Sequence, residues 1–270
     1  MRYLLHLAYN GSPYSGWQRQ TNTECTVQQH LEDVIQKVTG EKLSVMGCGR
    51  TDAGVHAAQY IAHLDAQEDL PEDFLGICNH LLDEQVALKD ALIVDDNWHA
   101  RYNAIERQYD YFLHTRKDPF LSAISAYYPL ERLDFEKIQK GMNELIGKHD
   151  FGNLCRQPYK HNHTFCHIKN ASVGVTDYGS RFHFQFTADR FLRGMIRIII
   201  AKLIDVGMGK IDLETFMGYI NKTHERQHKE MAYPQGLYLS GIKYPEFNFL
   251  VKSPGFLSLL DSFNKDQHQY

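Results

Sequence analysis

The sequence predicts an α+β fold made of two similar half-domains, with antiparallel or mixed sheets and a cleft between them. Three observations carry this expectation. The chain has 270 residues, room for roughly two domains. An alternation of strands and helices runs through one half and begins again in the next. No Gly/Ser-rich or Pro-rich linker parts them, so the halves are expected to pack side by side around a shared site. Residues 1–104 form the expected N-terminal half-domain and carry a Gly-flanked loop around Asp52. Residues 105–250 form the C-terminal half-domain, with the boundary near 97–106, and residues 251–270 form a C-terminal extension.

Taken in order, residues 2–9 read as an opening strand, and Gly11-Ser12-Pro13 breaks it. Thr26 followed by Gln29 resembles a capping box. Val27, Leu31, Val34, Ile35 and Val38 then fall at helical spacing, and Gly40 ends the run. Short strands are expected at Leu43–Met46 and Gln59–Leu64. Pro71 opens a helix to about Leu82, since proline is tolerated in a first helical turn, and Val86–Val94 is a strand. The second half restarts with a strand at Arg107–His114 and a helix at Asp134–Ile146. Strands follow at Ile168–Thr176 and Phe182–Thr187. A strongly apolar helix is expected over Arg190–Val206, a shorter one over Leu213–Ile220, and a closing strand over Leu237–Tyr244.

Composition narrows the class. Hydrophobic residues make up 43% and charged residues 23%, as in ordinary globular chains. Five cysteines, odd in number and widely spaced, argue for a reducing cytoplasm rather than a disulfide framework. The first nine residues are too short and too polar for a signal peptide. The most apolar helical stretch is interrupted by arginines, so no membrane span is expected. The net charge of −4, taken alone, argues against a polyanion ligand.

The most informative string is Gly49-Arg50-Thr51-Asp52-Ala53-Gly54-Val55-His56-Ala57. Glycines permit positive φ and close approach of a ligand to the backbone, so a loop of this kind can present Asp52 into a cleft beside Arg50. The plain alternative is a tight turn whose Asp caps the backbone.

That string resembles the hallmark of the tRNA pseudouridine synthase A family. The resemblance extends in family order over about residues 3–245. Tyr9 to Gln20 is similar to the family's opening strand and loop. Trp98-His99-Ala100-Arg101-Tyr102 is similar to its FHARF segment, with Trp for Phe. Arg107-Gln108-Tyr109-Asp110-Tyr111, Gly147-Lys148-His149-Asp150-Phe151, Phe191 to Arg197 and Gly236-Leu237-Tyr238-Leu239 match further motifs. Tyr233 stands where members usually carry proline, and Ala201 where they carry a helix-packing glycine.

The resemblance implies a pseudouridine synthase fold and an isomerase acting on uridines in the anticodon stem-loop of tRNA, at positions 38–40. It implies no cofactor and no metal, and a homodimer with tRNA as partner. Asp52 becomes the essential carboxylate, either as nucleophile or in abstracting a sugar proton. Arg197 becomes the cation that pairs with it, Tyr109 the ring that stacks on the target base, and Arg50 the group that fills the space vacated in the RNA. Leu237 and Leu239 serve as apolar pocket wall or as core. Outside that resemblance, Arg197 reads as a snorkelling or structurally paired arginine and Tyr109 as a strand residue packing in a core.

Arg190, Arg193 and Arg197 are spaced i, i+3, i+7. On a helix they would fall within about 60° of one another, a cationic stripe suited to phosphate or carboxylate. The charge is also uneven. Residues 65–96 hold ten acids against Lys89, a local −9, which leaves +5 for the rest of the chain. Residues 181–210 hold six bases, Lys202 among them, against Asp189 and Asp205. The expectation is an acidic face turned away from RNA and a basic helix lining the cleft.

Two rival readings remain at this level. One is a noncatalytic RNA-binding relative. The other is a metal-dependent hydrolase built on Cys155, His161, His163, Cys166 and His167, whose types suit Zn²⁺ but whose spacing matches no standard finger.

Overall fold

The computed structural model describes residues 1–176, 179–224 and 230–247. The expected extension at 251–270 lies outside the described residues. In chain order the regular elements are β1 (Arg2–Tyr9), α1 (Val27–Thr39), β2 (Met46–Gly47), β3 (His56–Asp65), α2 (Phe74–Leu81), β4 (Val86–Val94) and β5 (Glu106–His114). Then come β6 (Ala126–Tyr127), α3 (Phe135–Asn143), β7 (Gly147–Asp150), β8 (Phe165–Thr176), β9 (Arg181–Ala188), α4 (Met195–Gly207), α5 (Leu213–Ile220) and β10 (Leu237–Lys243). The fold class is α+β.

The chain divides into two compact units at Ile105/Glu106. The sequence reading grouped the last strand with the second half. In the structure residues 238–247 belong to the first unit, where β10 runs parallel to β3 with Tyr238 opposite His56.

In the first unit the strand order is β4-β1-β3-β10. β1 is antiparallel to both neighbours, with Leu4 opposite His63 on β3 and Leu92 on β4. Tyr3, Leu4, Leu5 and Leu7 are all buried, so both faces of β1 are covered. Helix α1 buries Val27, Leu31, Val34 and Ile35. Its start follows from chemistry: the Thr26 side chain accepts the Gln29 N–H at 3.2 Å, and Gly40, at φ 76°, closes the other end. The box is half made, because the Gln29 side chain turns to Asp33.

In the second unit the order is β5-β9-β8-β7. β9 alternates cleanly, with Phe182, Phe184, Phe186 and Ala188 buried. Helix α4 buries Met195, Ile198, Ile199, Ile200 and Leu203. Asp134 caps α3 and Asp212 caps α5, each accepting a backbone N–H three residues on.

The expected helix over Arg190–Val206 begins at Met195 instead. Gly194 sits at φ 68°, a left-handed conformation that cannot continue a right-handed helix. The Arg193 carbonyl is also taken by the Arg156 N–H at 2.8 Å. Arg190 and Arg193 therefore precede the helix, and the three-arginine stripe does not exist as a helical face.

Candidate functional site

The Asp52 loop is held by the segment that leaves β1. Tyr9 Oη lies 2.9 Å from Thr51 Oγ1. The Trp17 N–H donates to the Thr51 carbonyl at 3.3 Å, and the Gly54 N–H donates to the Tyr14 carbonyl at 3.2 Å. The Val55 N–H closes the turn on the Asp52 carbonyl at 3.2 Å. Behind the loop, Tyr60 Oη–H donates to the Gly49 carbonyl at 2.6 Å. The Tyr60 ring stacks on Trp17 with centroids 4.0 Å apart. Both rings are buried.

Asp52 is thus a half-buried carboxylate on a short turn whose flanking peptides are fixed on both sides. Of the two motif glycines, Gly54 uses positive φ (74°) while Gly49 does not. Arg50 is exposed, and its Nε–H donates to Gln18 Oε1 at 2.9 Å. Asp52 and Arg50 therefore share one immobilised loop. Tyr9, Tyr14, Trp17 and Tyr60, which hold it, carried no signal of that role in the sequence beyond the quoted opening motif.

The second unit carries the other expected residues. Tyr109, on β5, is half-buried and meets Phe191 edge to face, with centroids 5.2 Å apart and planes at 86°. Arg197 lies in the first turn of α4 and donates from Nε to the Ala232 carbonyl at 2.7 Å. The Ala232 N–H returns to the Arg197 carbonyl at 2.9 Å. Arg193 is exposed and donates to Gln157 Oε1 at 3.1 Å. Arg190 lies 3.2 Å from His163 Nε2. A guanidinium only donates, so this His163 nitrogen is the acceptor. Leu237 and Leu239 are buried, 6% and 3% exposed.

Not all of the bases in residues 181–210 are free surface charge. Lys202 is buried and ion-paired to Asp205 at 2.6 Å, and Arg181 pairs with Asp118 at 3.2 Å. Lys202 is a core cation, not part of an RNA-facing surface. The acidic run keeps to the first unit and the 181–210 cations to the second.

The Cys/His set does not assemble. Cys166 and His167 are consecutive on β8, so they point to opposite faces: Cys166 is buried and His167 exposed. Burial pushes the Cys166 thiol up to about 12, so it is protonated where it stands. Among the described residues no group of three or more His, Cys, Asp or Glu side chains is placed to hold a metal ion. Among the same residues no helix is long and apolar enough to cross a membrane.

Residues 7–103 and 142–245 match the family described as tRNA pseudouridine synthase. A protein named tRNA pseudouridine synthase A from Gloeobacter violaceus is 36% identical over 258 residues, covering 94% of this chain and 84% of its own. One of the same name from Porphyromonas gingivalis is 34% identical over 252 residues, covering 92% of this chain and 99% of its own. Among solved structures, an H/ACA RNP bound to a substrate RNA containing 2′-deoxyuridine aligns with a TM-score of 0.36 and 9% identity, over 87% of this chain and 59% of that one. A likeness that weak carries no weight for fold or site.

Proposed function

The chain belongs to the tRNA pseudouridine synthase family, which isomerises uridine to pseudouridine in tRNA, and on that premise we propose that Asp52 is the carboxylate on which its reaction depends. The observation that supports this is the clamped loop: a half-buried carboxylate whose neighbouring peptides are fixed by Tyr14 and Trp17. Preorganisation of this kind lets a charged group meet a reacting atom without first being ordered.

The reaction conserves composition. The bond from N1 to C1′ breaks, a bond from C5 to C1′ forms, C5 gives up its proton and N1 gains one. Asp52 serves either by attacking C1′ or by taking a sugar proton, and both require the ionised carboxylate. In this reading Arg197 supplies the cation for that carboxylate and Tyr109 stacks on the displaced base. Arg50 enters the RNA, Arg190 and Arg193 take phosphates, and Leu237 contributes apolar wall. The substrate region is the anticodon stem-loop. The homodimer and the cytoplasmic setting rest on the resemblance. Exposed aromatics such as Phe120 (88%), Tyr159 (78%) and Tyr102 (75%) are available to a partner surface.

The test is release of tritium from C5-labelled uridine in tRNA. The wild-type chain releases label, and Asp52→Ala lowers the rate by a factor of about 10³ or more while keeping its melting temperature and its affinity for tRNA. Full release by Asp52→Ala overturns the assignment of Asp52. Tight binding of tRNA by the wild-type chain without any release supports a noncatalytic relative instead.

A further inference from the structure

We propose that Tyr128 and Tyr111 are positioning residues for Arg197, acting through the peptide that joins Ala232 to Tyr233. The proposal rests on the reading above that Arg197 works in the site.

The backbone polar groups of these two residues have four partners. The Ala232 N–H donates to the Arg197 carbonyl at 2.9 Å. The Ala232 carbonyl accepts Arg197 Nε–H at 2.7 Å. The Tyr233 N–H donates to Tyr128 Oη at 3.1 Å. The Tyr233 carbonyl accepts Tyr111 Oη–H at 3.1 Å. Tyr111 and Tyr128 meet oxygen to oxygen at 3.2 Å.

Proton counting fixes every direction. A phenol has one proton. Tyr111 gives its proton to the Tyr233 carbonyl, so it accepts from Tyr128. Tyr128 gives its proton to Tyr111, so its own oxygen is left to accept the Tyr233 N–H. The chain of donors closes with each group used once. Burial holds both phenols above their ordinary titration range, while the Arg197 charge nearby pulls them the other way. They stay protonated, as the chain requires.

The Ala232 carbonyl and the Tyr233 N–H belong to one rigid, planar peptide unit. Arg197 grips its oxygen and Tyr128 grips its N–H. Rotation of that plane would swing the Arg197 Nε contact with it, so Tyr128, oriented by its own donation to Tyr111, sets the plane and the plane sets the guanidinium. Ala232 is 2% and Tyr233 51% exposed, so after Tyr128→Phe water can reach the Tyr233 N–H, but a mobile water does not hold the plane as a fixed phenol does.

The substitution that isolates this is Tyr128→Phe, which orphans the Tyr233 N–H. Tyr233 has φ −58°, which proline adopts without strain, and proline has no N–H to orphan. The expected result is a fall in kcat of about tenfold in Tyr128→Phe, with KM for tRNA within about twofold. In a Tyr233→Pro background the same Tyr128→Phe change has little further effect. Tyr111→Phe, which removes the acceptor that orients Tyr128, lowers kcat in the same way and stands in should Tyr233→Pro not fold. Unchanged kcat in both phenylalanine variants overturns the proposal, as does an equal loss in both backgrounds. Arg197→Ala separates the two levels. If it releases tritium at the wild-type rate, the underlying reading of Arg197 falls and this proposal with it. If it is inactive while both phenylalanine variants keep full kcat, this proposal alone falls.

Discussion

A Cβ added to Gly11 would lie 1.9 Å from the carbonyl oxygen of Val55. The segment leaving β1 thus runs directly against the backbone of the Asp52 turn, and the Gly11 N–H also donates to His56 Nδ1 at 3.1 Å. Backbone cannot yield as a side-chain tip can, so Gly11→Ala must push Val55 away. We expect a stability loss of about 1–3 kcal/mol, as for other overpacked sites. The larger effect falls on rate. Val55 closes the turn on Asp52, and a displacement of about 1 Å at a catalytic group costs about 10²-fold. Tritium release and thermal melting on Gly11→Ala check this together. A normal rate with a lowered melting temperature would show that the clamp serves folding alone.

Local chemistry made most of the fold legible. Thr26 and Gly40 bracket α1 in the sequence and cap it in the structure. Asp212 opens α5, which spans the expected Leu213–Ile220. What escaped was set by contacts between distant residues. Periodicity from Arg190 to Val206 is helical, yet the helix starts at Met195, because Gly194 turns left-handed and Arg156 captures the Arg193 carbonyl. The expected strand over Leu43–Met46 shrinks to Met46–Gly47, the only part that finds β3 as a partner. β10 looked like the end of the second half, but its parallel register on β3 is a long-range pairing that its own residues do not announce. Among the candidate residues, Asp52, Arg50 and Arg197 stood out through motif position. Tyr60, which backs the Asp52 loop, did not, since a tyrosine alternating along a strand reads as core.

The His63 ring predicts an acid-sensitive first unit. Its Nδ1 accepts the Ala100 N–H at 3.3 Å, and the ring also bonds the backbone of Met46. Burial, with His99 and Arg2 nearby, pushes its pKa down to about 4. Protonation at Nδ1 would set one N–H against another. The folded state therefore binds fewer protons than the unfolded chain between about pH 6.5 and 4, and stability rises with pH across that window. The melting temperature should fall as pH drops from about 6.5 towards 4. His6, His99 and His114 are lowered by burial too, so His63→Phe should flatten the slope without abolishing it. An unflattened slope in His63→Phe would remove His63 from the account.

Arg193 and Lys202 lie nine positions apart in one basic stretch, yet the structure predicts opposite phenotypes for them. Arg193 is exposed, and its contact with Gln157 is a neutral one, so its charge remains uncompensated there and suited to a phosphate. Each phosphate neutralised contributes about 0.7–0.9 to the slope of log affinity against log salt. Arg193→Gln should reduce that slope for tRNA by just under one and leave the melting temperature within about 1 °C. Lys202 is buried against Asp205 at 2.6 Å. Lys202→Met strands a carboxylate in an apolar helix face and should cost about 3–5 kcal/mol, with the salt slope of the remaining folded protein unchanged. Asp205→Leu added to Lys202→Met should recover most of that loss, because the unpaired charge goes with it. A salt slope that moves with Lys202 and not with Arg193 would return the basic stretch to the helical face its spacing suggests.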